Sequence, residues 1–215
     1  MSNKDVEIME NIYSENDRIA ERIQKSLHEQ GIYAINVMGA PGVGKTSSLI
    51  KLIKGLNGVK AYVIEGDIES DIDTKKLKAL DIETVQINTG GACHLDGILI
   101  ENTLNDLGLN EPGVLFIENI GNLVCPAEFN IGENCKMLIT TVAEGDDKPY
   151  KYPLAFEKAA IILLNKIDLL PYLDFDMDYY IRGIRVLNPN APIIKVSAKT
   201  GAGFDEVCEW IQSRM

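Results

Sequence analysis

Two groups of residues in this 215-residue chain have types and spacing that could do chemistry. The first is residues 39–46, GAPGVGKT, a full match to G-x-x-x-x-G-K-[ST]. Gly39, Gly42 and Gly44 let backbone N–H groups, that of Val43 among them, wrap around phosphate oxygens, and the start of the next helix adds a positive dipole end. Lys45 can reach the β- and γ-phosphates, and the Thr46 hydroxyl, followed by Ser47, can ligate Mg²⁺. The second is Cys93 beside His94, within GGACHLDGILIEN at 90–102, in a chain with only two histidines. Thiolate and imidazole together suit Zn²⁺ or Ni²⁺. Cys125, in GNLVCPAE at 121–128, follows its own strand at a similar distance and is the natural third ligand.

Three ligands leave a coordination position for water, or for a second protomer across a two-fold axis. Adjacent ligands are awkward, however, if His94 is already turning into a helix. The plainer alternative is that each cysteine is a small buried hydrophobe and His94 a capping or packing residue. Cys208 falls in the apolar rhythm of the last helix and reads as core, and Cys135 fits either description.

Two later segments select the base. In NKID at 165–168, the Asp168 carboxylate can accept from both the N1–H and the exocyclic amine of guanine. Adenine would set a lone pair against it. Asn165 can bond the other purine edge, and the stem of Lys166 can lie over the ring. In SAK at 197–199 the Ala198 N–H can meet guanine O6, flanked by Ser197 and Lys199. The expected nucleotide is therefore GTP.

Two acids, Asp67 and Glu118, follow strands on the same edge. Asp67 is the first candidate for holding Mg²⁺ or ordering the attacking water. Glu118, in ENIG at 118–121, stands where phosphate-sensing loops carry D-x-x-G, and its extra methylene suggests action on the metal through a water. Asp71 and Asp73 read as a solvated acidic loop or a helix cap. Lys45, Asp67 and Glu118 form the expected catalytic set. No glutamine follows Gly121, so hydrolysis should be slow.

The elements that must position these groups alternate. Helical periodicity covers about 4–30, then strand 32–38, helix 44–56, strand 59–65, a brief helix near 73–80, strand 84–88 and a helix carrying the Cys-His pair to about Leu107. Strand 113–119 and a long irregular stretch follow, then strands 137–142 and 159–166, a helix near 174–187, strand 193–197 and helix 203–213. Several strands are continuous Val/Ile/Leu runs, which suits a sheet buried on both faces. The expectation is an α/β P-loop fold, a mostly parallel central sheet flanked by helices on both faces. In such sheets ligands sit beyond the carboxyl ends of the strands.

With 46% hydrophobic and 25% charged residues, the whole chain, 1–215, reads as one nucleotide-binding domain. A balance of 21 basic to 32 acidic residues, net −11, repels phosphate backbones, so nucleic acid is not expected as a partner. No apolar run reaches a membrane-spanning length, and no signal-peptide core opens the chain, which places it in the cytoplasm. Its four cysteines are then thiols or metal ligands rather than disulfides.

Taken together, GAPGVGKTS, GDIESDIDT, NTGGACHLDG, ENIGNLVCP, NKIDL and SAKTGAG resemble the motifs of the HypB-type hydrogenase maturation GTPases, from about residue 30 onward. The resemblance implies a P-loop fold of the signal-recognition/MinD/BioD class, slow GTP hydrolysis and help in nickel insertion into [NiFe] hydrogenase. It implies a metal site of Cys93, His94 and Cys125 at a homodimer interface promoted by GTP and metal. Implied partners are an accessory maturation protein and the hydrogenase large subunit. Many relatives carry an N-terminal cysteine cluster or histidine-rich tract; here residues 1–30 contain no cysteine and only His28. That argues against nickel storage and leaves the N-terminal helix as a candidate docking element. Competing readings are a urease-type nickel GTPase, disfavoured because no proline separates Cys93 from His94, a P-loop small-molecule kinase, and a metal-independent switch.

Overall fold

The computed structural model describes residues 3–67, 77–80 and 82–215; the side chains of 3–13 and of Asp67 lie outside the described set. Seven strands form one sheet in the order β3-β2-β4-β1-β5-β6-β7. They are β1 (Ile32–Met38), β2 (Lys60–Asp67), β3 (Glu83–Asn88), β4 (Gly113–Glu118), β5 (Cys135–Thr141), β6 (Ile161–Asn165) and β7 (Ile193–Lys195). Every described pairing is parallel, so the sheet is parallel throughout rather than mostly so.

The reason lies in the strand sequences. β4, GVLFIE, and β6, IILLN, are buried at every position, which only helices on both faces can satisfy. One face packs Ile35, Val37, Phe116 and Leu163 against α2 (Lys45–Gly55) and a C-terminal helix at Phe204–Gln212. On the other face Ala34, Ile64 and Ile117 meet Ile19, Ile23 and Leu27 of α1 (Asn3–Glu29) and Ile100 of α3 (Gly97–Leu104). Farther along that second face, Met38, Leu138 and Leu164 meet Phe156, Tyr180 and Ile184. Cys208 is buried in the first of these clusters, as its position in the last helix suggested.

The Cys-His pair does not ride on a helix. Asp96 caps α3 by accepting the Leu99 N–H at 2.8 Å, so the helix begins at Gly97 and ends at Leu104. Cys93 and His94 stand in the preceding turn, and the objection that a helix would keep them apart falls away. The stretch after β4 is likewise not wholly irregular: α4 (Cys125–Glu128) is a single turn whose Pro126 supplies the fixed φ that favours a helix start. Strand β7 stops at Lys195, short of the expected Ser197. The helix expected near 174 begins at Met177, behind an Asp176 cap on the Tyr179 N–H. Of the helix expected near 73–80, only Leu77 and Lys78 are described as helical; the rest, with Asp71 and Asp73, lies outside the described residues.

Candidate functional site

The carboxyl end of β1, the middle strand, opens directly into the phosphate-binding loop. Gly42 and Gly44 hold φ of 75° and 94°, a region that costs an L side chain and not glycine. Space is as demanding as conformation: a Cβ on Gly44 would stand 2.7 Å from Asn165 Nδ2, and one on Gly39 would stand 2.5 Å from the Ile139 carbonyl. Lys45 Nζ donates to the Gly39 carbonyl at 3.3 Å, arching back over the loop. The Thr46 hydroxyl donates to Glu118 Oε1 at 2.9 Å, setting two hard oxygen donors side by side at the mouth of the loop. That donor pair fits Mg²⁺. Asp67 ends β2, two strands from β1, with its backbone paired to Asn88; its side chain is not among those described.

On one flank, β6 and β7 deliver the NKID and SAK segments. Asn165 Nδ2 donates to the Val43 carbonyl at 2.8 Å while its Oδ1 accepts the Ala198 N–H at 3.0 Å. Through these two bonds Asn165 braces the phosphate loop against the SAK turn, a contact the sequence reading did not foresee. Lys166, the one described non-glycine residue with positive φ (60°), reaches the Gly42 carbonyl at 2.7 Å. Ser197 donates to Asp168 Oδ1 at 2.6 Å and accepts the Thr200 N–H, which fixes the carboxylate. Lys199 Nζ lies 3.9 Å from Asp168 Oδ2. A cavity of about 340 Å³ runs along Gly44, Ser47, Asn165, Lys166, Asp168 and Ala198, joining the phosphate loop to the Asp168 carboxylate.

On the other flank stand the thiols. Ligand atoms of Cys93, His94 and Cys125 all lie within 4.8 Å of one another. The two sulfurs are 3.2 Å apart, and Cys93 Sγ is 3.4 Å from His94 Nδ1. Two soft sulfurs and an imidazole at these separations are a donor set that suits zinc or nickel. Cys93 is exposed, and the other two are partly so. The His94 ring stacks on Phe129, with centroids 4.0 Å apart, and burial there pulls its pKa below the usual imidazole value. A neutral ring, the ligating form, is thereby favoured at neutral pH. The adjacent Cys93 thiol, followed by burial, pushes Cys125 above the usual thiol value. Cys135 stands apart at the start of β5, on the opposite edge of the sheet, bonded to Tyr33; burial pushes its thiol to about 11. It is no ligand of this cluster.

Sequence reasoning missed a polar network beneath these loops. Asn36, fully buried in β1, donates to Glu133 at 3.3 Å and accepts from Asn119 Nδ2 at 3.1 Å. Glu133 pairs with Lys136 at 2.7 Å, and Lys136 in turn donates to the Pro126 and Phe129 carbonyls that frame α4. The α1 side chain Asn16 accepts the Gly97 N–H and donates to the Asn130 carbonyl, tying the N-terminal helix to the segments that follow Cys93 and Cys125. A lone asparagine inside the apolar run of 32–38 was the one visible signal.

Comparison with known proteins agrees with this layout. A family model described as CobW/HypB/UreG, nucleotide-binding domain, matches residues 33–195. The hydrogenase maturation factor HypB of Azotobacter vinelandii is 44% identical over 206 residues, spanning 95% of this chain and 68% of that protein. The crystal structure of HypB from Helicobacter pylori in complex with nickel superposes with TM-score 0.88 at 33% identity, covering 93% of this chain and 94% of that one. That of the hydrogenase maturation factor HypB from Archaeoglobus fulgidus gives 0.86 at 36% identity, covering 93% and 98%. No described helix is long and apolar enough to cross a membrane. With a complete phosphate loop on an all-parallel sheet and likeness along nearly its whole length, the chain belongs to the CobW/HypB/UreG nucleotide-binding family, among the HypB proteins.

Proposed function

We propose that this protein is a GTPase metallochaperone that binds and releases nickel in a GTP-dependent manner during [NiFe] hydrogenase maturation. One observation carries the proposal: the loop after β4 begins at Glu118, which touches Thr46 of the phosphate loop, and ends at Cys125, which touches Cys93. A single stretch of eight residues thus has one end at the terminal phosphate and the other at the metal ligands. GTP occupies the cavity between Gly44 and Asp168, its guanine read by the Asp168 carboxylate that Ser197 orients. Thr46 and Glu118, with Asp67 as the further candidate, would hold Mg²⁺, which would neutralise phosphate charge. Lys45 leaves the Gly39 carbonyl to meet the β- and γ-phosphates.

Cys93, His94 and Cys125 take the ion, with zinc an alternative occupant of the same donors. Three ligands on an exposed face leave room for a second copy of the chain, so the active form is a homodimer closed by GTP and metal. An accessory maturation protein, docking on α1, and the hydrogenase large subunit are the expected partners. Hydrolysis is slow, because Gly121 is followed by Asn122 where a water-orienting glutamine would stand.

The test is phosphate release from GTP with Mg²⁺ and no second substrate, followed by gel filtration with GDP or GTPγS, each with and without nickel. Slow turnover of GTP in preference to ATP, with a dimer favoured by GTPγS plus nickel, is expected. Turnover that requires an added phosphoryl acceptor would instead make the protein a kinase.

A further inference from the structure

We infer that Asn119 and Asn122 are positioning residues that carry the state of the phosphate loop to the Cys93–His94 pair; this rests on the proposed metal site and says how it is coupled. Both lie in the loop that follows β4. Its backbone is pressed against the phosphate loop: Asn122 bridges to Gly39, and a Cβ on Gly121 would stand 2.7 Å from the Pro41 ring. From that loop two side chains cross to the segment bearing the pair. Asn122 Nδ2 donates to the Cys93 carbonyl at 3.1 Å, and Asn119 Oδ1 accepts the Leu95 N–H at 3.2 Å. The backbone is therefore held immediately before and immediately after His94.

Each asparagine is anchored by its other contacts. Asn119 is 1% exposed; its Oδ1 also accepts the Ile120 N–H, and its amide donates to the fully buried Asn36. Asn122 Oδ1 accepts the Val124 N–H at 2.9 Å, one residue before Cys125. The same two side chains thus hold the segments that present all three ligands. A shift of residues 119–122 as the terminal phosphate comes or goes drags the Cys93 carbonyl, the Leu95 amide and the Cys125 turn together. Upstream, Gly90 and Gly91 at φ of 58° and 100° supply backbone freedom for that movement.

The roles are mechanical, and the test reads geometry and coupling rather than activity. Full-length wild type, Asn122→Ala and Asn119→Ala, each loaded with GDP or GTPγS, are titrated with Co²⁺. Thiolate-to-cobalt absorption is followed, and thermal unfolding and nucleotide affinity are measured on the same samples. In wild type, cobalt affinity differs between the two nucleotide states. In both variants that ratio collapses to within about twofold of unity, and affinity falls about tenfold in the tighter state. Asn122 is only half-buried, so its alanine variant answers the question even if Asn119→Ala unfolds.

Variants that fold and retain the wild-type ratio overturn the inference. A wild type that binds cobalt equally in both states removes the coupling, and the inference with it. A wild type with no cobalt-thiolate absorption overturns the metal site itself.

Discussion

The two flanks of the phosphate loop are built on opposite plans. On the β6–β7 flank the polar groups bond to one another and to the phosphate loop: Asn165 and Ser197 are each 1% exposed. Asn165 ties Val43 directly to Ala198, so this side is closely braced. On the β3–β4 flank Cys93 and His94 sit in a turn and Cys125 at the start of α4, all at least partly exposed and steadied by side-chain-to-backbone bonds from Asn119 and Asn122. Under the proposed function the contrast has a use: selecting one base gains from rigidity, whereas releasing a cargo needs two arrangements of similar energy. The difference is one of construction, since both flanks hang from the same sheet edge.

Four experiments break or sharpen this contrast, the largest effect first. Thiol labelling at pH 8 should modify exposed Cys93 at least a hundredfold faster than Cys135 or Cys208, whose thiols burial pushes to about 11. At that value only about one molecule in a thousand is thiolate, and reactivity should rise as pH climbs toward 11. Mass spectrometry of labelled peptides reads the result, and saturating nickel should protect Cys93 and Cys125 alone.

Asp168→Asn should weaken GTP by on the order of a hundredfold, since the guanine N1–H and amine lose their shared acceptor. It should improve binding of XTP, and nucleotide competition measures both. Metal stoichiometry should not change, because that flank is untouched. Conversely, Cys93→Ala and Cys125→Ala should each weaken nickel by about thirtyfold or more while GDP affinity stays within about twofold, both by calorimetry. Asn165→Ala should give the smallest effect. Removing the brace costs about 1–3 kcal/mol of stability, read by denaturant unfolding, because the Ala198 N–H and Val43 carbonyl lose their partner. Equal effects of Asn165→Ala and Asn122→Ala on unfolding would erase the proposed difference in rigidity.

Much of this was legible in the chain. Residues 39–46 state their chemistry outright, and continuous apolar strands dictate a parallel sheet, which brings every strand-end motif to one rim. The juxtaposition of Cys93 with Cys125 follows, because β3 and β4 both flank β2. What stayed hidden depends on contacts made across register. Asn165 has side-chain polarity suited to a brace as well as to a base, and its bonds to Val43 and Ala198 join segments far apart in the chain. Asn36, Glu133 and Lys136 lie about a hundred residues apart at their extremes, with no local pattern to link them. The start of α3 was placed too early because Asp96 was not read as the cap that fixes it at Gly97.

Equilibrium dialysis of the wild-type protein against nickel, once with GDP and Mg²⁺ and once with GTPγS and Mg²⁺, tests the central claim most directly. Coupling across the loop from Glu118 to Cys125 predicts dissociation constants that differ by at least about fivefold. Identical constants in the two states, with the thiols demonstrably reduced, would contradict it.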